Sequence, residues 1–98
     1  MFTGIIIEKG LIKDIRRKDN EIEMFIFSKK ISSFKEGMSI SCAGICLTVV
    51  SFENYESGYL FSVYISNETL SRTTLAEYME GDQINLDKSL ALGDEMDG

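Results

Sequence analysis

Short runs of alternating apolar residues, each closed by a turn signal, recur along this chain, and no proline interrupts them. Alternation at period two is the signature of half-buried strands. Residues 2–9 are apolar and β-branched, and after Gly10 the pattern resumes at Leu11, Ile12 and Ile15, which predicts one long strand bent or bulged near Gly10. Asp19-Asn20 signals a turn, and Ile22 to Phe27 reads as a second strand. Lys29 to Glu36 reads as an irregular connection stopped by Gly37. Met38 to Ala43 and Ile45 to Phe52 follow as strands, and Tyr59 to Ile65 follows a hairpin flanked by Glu53-Asn54 and Ser57-Gly58. Thr74 with Glu77 three residues later forms a capping box, and the apolar spacing of Leu75, Tyr78 and Met79 predicts a short helix ended by Gly81. Ile84 and Leu86 mark a sixth strand. Six short strands and one small helix predict an all-β fold: a closed or nearly closed antiparallel barrel of Greek-key type, with residues 1–98 as a single domain.

The stretch Gly44-Ile45-Cys46-Leu47-Thr48-Val49-Val50 carries the most chemical information. Ile45, Leu47 and Val49 share one face, and Cys46, Thr48 and Val50 share the other. One face is suited to the core, while the other offers a thiol and a hydroxyl beside a glycine that lets a flat ligand approach. Buried cysteine usually behaves as a small hydrophobe, and threonine is common in strands, so alternation alone does not assign either a role. Cys42 and Cys46 read as parts of one extended segment, roughly 13 Å apart at about 3.3 Å per residue. A disulfide needs about 7 Å or less, so free thiols are expected.

Several segments, in order and spacing, resemble the N-terminal half of riboflavin synthase. They are Met1-Phe2-Thr3-Gly4-Ile5-Ile6, Gly37 to Val50, Asn67-Glu68-Thr69-Leu70, and Gly81-Asp82-Gln83-Ile84-Asn85-Leu86, and the likeness runs from Met1 to about Asp94. It implies binding of 6,7-dimethyl-8-ribityllumazine or riboflavin. The full enzyme moves a four-carbon unit between two lumazines, giving riboflavin and a ribitylamino-pyrimidinedione, without a metal or organic cofactor. The resemblance implies Cys46 and Ser39 as candidate catalytic groups for transient addition or proton movement. It implies Gly4, Ile5, Ile6, Cys46, Leu47, Thr48, Tyr64, Ile65, Ser66, Asn67, Glu68 and Thr69 as ligand-binding residues. Asn67 and Glu68 read equally as a turn ahead of the helix, and Thr69 as a satisfied loop hydroxyl. Family members commonly carry asparagine before the G-I-C-L-T-V motif, where this chain has Ala43. The resemblance further implies a homodimer of an isolated half and a homotrimer of a two-barrel chain, with slight or absent turnover by one half alone. Lumazine-carrying proteins of luminous bacteria, which bind without catalysis, are the alternative; they tend to lack the cysteine retained here.

Charge narrows the partners. A net charge of −6 argues against nucleic acid, which is held by clustered Lys and Arg. The basic group Lys13, Arg16, Arg17 and Lys18 is broken by Asp14 and followed by Asp19, so it reads as a solvated turn. With no histidine and no C-x-x-C, no zinc site or histidine-driven triad is expected. No apolar stretch approaches the ~20 residues that span a bilayer. Residues 1–15 lack a basic start and a long apolar segment, so a cytoplasmic location is the default expectation.

Overall fold

Alternation decides the architecture because each strand has one face that must leave water. In a computed structural model describing residues 8–88, the strands are β1 (Glu8–Arg17), β2 (Glu21–Ser28), β3 (Ser39–Cys42), β4 (Ile45–Tyr55), β5 (Gly58–Ser66) and β6 (Gln83–Lys88). All pairings are antiparallel, and the order β1-β2-β5-β4-β3-β6 closes into a barrel. The run β2-β5-β4-β3 is a Greek key: three hairpin-linked strands with β2 returning beside the last.

The inward row supplies the core: Ile12, Ile22, Met24, Ile26, Ile40, Cys42, Leu47, Val49, Phe61, Val63, Ile65, Ile84 and Leu86 are all buried. One end is covered by Leu70 of a short helix, α1 (Asn67–Arg72), and by Leu75 of a single 3-10 turn, Thr74–Glu77. At the other end Ile31 and Phe34, from the β2–β3 connection, act as the plug; the Phe34 ring lies 5.0 Å from Phe61 and 5.3 Å from Tyr59.

Four local expectations are corrected. The bulge in β1 falls between Ile12 and Asp14, not at Gly10. Gly10 instead allows close packing, since a Cβ there would meet Leu86 Cδ1 at 2.7 Å and Ile26 Cγ2 at 2.8 Å. Cys42 and Cys46 do not lie in one extended segment: Ala43 (φ 55°) and Gly44 (φ 84°) turn β3 back onto β4, pairing Cys42 with Ile45 and Ser41 with Cys46. Both thiols are free, as expected, although the physical reason is that they occupy opposite faces of a hairpin. The helix lies upstream of the predicted capping box. Ser66 caps it by accepting from the Thr69 N–H at 3.1 Å, whereas Thr73, not Thr74, caps the 3-10 turn. Met79 is correspondingly exposed.

The basic group is the fourth correction. Lys13, Arg16 and Arg17 lie in β1 rather than in a turn. Arg16 stands 4.7 Å over Phe25, Lys13 5.6 Å over Tyr55, and Lys18 5.0 Å over Tyr64. Rings on the outer sheet surface thus replace water on one side of each cation.

Candidate functional site

The hairpin register assembles the site. Cys42 and Ile45 flank its two-residue turn, and each rung behind them alternates faces, so Cys46 shares a face with Ser41, and Thr48 shares one with Ser39. Cys46 and Thr48 are exposed, Ser39 is half-buried and Ser41 is buried. The same row continues onto β6, where Asp87 is the register partner of Ser41. Ser41 and Asp87 were not anticipated from sequence, although Ser41 lies two residues from Ser39, the spacing that returns a strand to the same face.

A gap opens beside this row. The last rung between β4 and β5 is Val49–Val63, yet β4 begins at Ile45 and β5 continues to Ser66. Ile45 to Thr48 are therefore laddered to β3 alone, and Tyr64 to Ser66 to β2 alone. Val49 bonds toward the β3 side, donating to Met38 O and accepting from Gly37 N, both at 2.9 Å. Alternation then turns the N–H and C=O of Cys46 toward β5, three residues beyond the last rung. A strand edge inside a closed barrel offers main-chain donors and acceptors to a planar heterocycle.

Across the gap, Tyr64 is 40% exposed and shares the outer face. Ser66 spends its hydroxyl on the helix, accepting from Thr69 N and donating to Thr69 Oγ1 at 3.1 Å. Asn67 is anchored to the β1–β2 turn, its N–H donating to Asn20 O at 3.0 Å and its Nδ2 to Asp19 O at 3.5 Å. Glu68 pairs with Arg72 at 2.9 Å one helical turn on. Leu47 and Ile65 point their side chains into the core, and by the same alternation their main-chain groups face β3 and β2 rather than the gap. Gly4, Ile5 and Ile6 lie outside the described residues. An open depression among Thr74, Glu77, Tyr78 and Asp82 involves none of the expected site residues.

The two thiols differ in chemistry. Burial pushes Cys42 up to about 12, with the neighbouring Cys46 adding to the shift, so Cys42 is a neutral core group. Cys46, exposed beside the gap, is the thiol that a ligand can reach.

The chain is similar to known proteins along its whole length. The chain is 37% identical over its whole length to riboflavin synthase of Chlamydia trachomatis, covering 47% of that protein. It is 37% identical to riboflavin synthase of Brucella abortus, covering 50%, and 33% identical to that of Bacillus subtilis, covering 44%. The chain therefore spans about half the length of these relatives. Residues 3–89 match the lumazine binding domain, and the chain belongs to that family.

Proposed function

We propose that this chain is the N-terminal lumazine-binding barrel of a riboflavin synthase, taking 6,7-dimethyl-8-ribityllumazine or riboflavin in the gap between β4 and β5. The observation that carries this reading is the open Cys46–Thr48 edge, found in a chain whose full length is similar to riboflavin synthases. The ring system sits against that edge, where the Cys46 backbone donates to and accepts from ring carbonyls and nitrogens. Tyr64 and the Ile65–Thr69 segment close the far side, and Gly4, Ile5 and Ile6 complete it.

The reaction needs two lumazines held face to face in opposed orientation. A proton leaves the C7 methyl of one, a nucleophile adds transiently to the other, and the four-carbon unit moves whole, so no external oxidant is required. Positioning makes this bimolecular step effectively unimolecular and supplies much of the rate. Cys46 or Ser39, on the same face of the hairpin, adds to the acceptor or carries the proton. No metal or organic cofactor enters. One barrel holds one lumazine, so catalysis requires a second barrel. The isolated chain dimerises and turns over slowly or not at all, the two-barrel protein forms a trimer, and both work in the cytoplasm.

Titrating riboflavin with the purified chain tests this. Flavin fluorescence is expected to be quenched at micromolar protein, and Thr48→Trp, which fills the gap, abolishes the quenching. Unchanged flavin emission with the wild-type chain at that concentration would overturn the reading.

A further inference from the structure

A chain of polar side chains crosses the outer surface where β4 and β5 part. β4 carries a register shift between Val49 and Ser51, next to the last rung of the ladder. Immediately beyond it the Ser51 and Ser62 hydroxyls lie 2.7 Å apart, and Ser62 Oγ donates to Glu23 Oε2 at 2.9 Å. Glu23 Oε1 faces Lys18 Nζ at 3.6 Å, and the same Nζ stands 5.0 Å over the ring of Tyr64. Ser62 is fully buried. Its single proton goes to the carboxylate, so Ser51 must donate to Ser62, giving one directed chain from β4 through β5 to β2.

We infer that Ser51, Ser62, Glu23 and Lys18 form a positioning network that fixes where β4 and β5 separate and holds Tyr64 at the rim of the gap. A bulge loosens the β4–β5 ladder locally, so regular pairing between these two strands does not by itself fix the rung at which they part. The hydroxyl pair ties the first residues after the bulge together, while Lys18 clamps the Tyr64 ring from the β2 side. These residues act on a ligand through the width of the gap, not by touching it. The ligand-binding consequence rests on the reading of the gap proposed above.

Ser51 is exposed, so its substitution leaves the core intact. Ser51→Val and Ser51→Thr place similar β-branched shapes there, and only the second keeps the hydroxyl. Two readouts are taken: riboflavin affinity, and amide exchange at Ser62 and Tyr64 relative to Ile12 and Ile84. Ser51→Val is expected to weaken riboflavin binding about threefold to tenfold, the range of one hydrogen bond, and to speed exchange selectively at Ser62 and Tyr64. Ser51→Thr restores both. Exchange in Ser51→Val that matches wild type, or rises evenly across the barrel, overturns the network. If the wild-type chain binds no riboflavin, the function proposed above fails, while the exchange contrast still decides this inference.

Discussion

Raising the pH should unfold this protein partly through one buried thiol. Cys42 sits at 0% exposure, and burial raises its pKa from 9.0 to about 12. The fold favours the neutral thiol, so the unfolded chain loses its proton first. The stability that Cys42 contributes is fully present below about pH 9 and is lost as pH climbs toward 12. At about 1.36 kcal/mol per pKa unit, the loss reaches about 2 kcal/mol near pH ~10.5 and tends to about 4 kcal/mol above pH ~12. The useful quantity is the difference between wild type and a variant that lacks this thiol. Urea unfolding of wild type and Cys42→Ala is followed from about pH 8 to about pH 10.5, where the cavity left by alanine adds an offset independent of pH. The stability advantage of wild type should shrink by about 2 kcal/mol across that span. An advantage that stays constant would show that Cys42 is not a desolvated titrating group, and the placement of the β3–β4 hairpin would be wrong.

Two further outcomes follow from backbone geometry. A Cβ at Gly58 would overlap the Ser28 carbonyl oxygen and approach Lys29 Cα to 3.0 Å, both main-chain atoms. Gly58→Ala should therefore cost about 3 kcal/mol or more in denaturant unfolding, and a loss under about 1 kcal/mol would contradict the close approach. Ala43 holds a left-handed φ of 55° ahead of Gly44. Ala43→Asn creates the Asn-Gly pair that such hairpin turns prefer and should raise stability by about 0.5–1 kcal/mol; a lower melting temperature would argue against this turn.

The barrel itself was legible because period-two alternation and turn residues are local signals that survive into the fold. The inward face of β5, with Phe61, Val63 and Ile65, and the split of β4 into Leu47 and Val49 inside against Cys46 and Thr48 outside, both follow from parity alone. Less legible was anything set by two residues in a special conformation. Ala43-Gly44 lacks the asparagine that announces a tight turn, so the hairpin separating the two cysteines read as continuous strand. Helix placement failed for a related reason: Thr74 and Glu77 had the spacing of a capping box, but Ser66 took the cap eight residues earlier. In the site, alternation pointed to Cys46 and Thr48. The gap beside them could not be read from sequence, because the end of a ladder depends on register across three strands. Ser41 and Asp87 stayed hidden for the same reason, since only the β6–β3–β4 register aligns them with Cys46.

The strict sidedness of the β3–β4 hairpin divides its freedom to vary. Ile40, Cys42, Leu47 and Val49 fill a closed interior, where a change of volume disturbs every neighbour. Ser39, Cys46 and Thr48 look outward on the same few rungs, so an exchange there rewrites the chemistry of the surface while the scaffold keeps its shape. Interleaving the two sets residue by residue lets such a barrel change its outer face one side chain at a time.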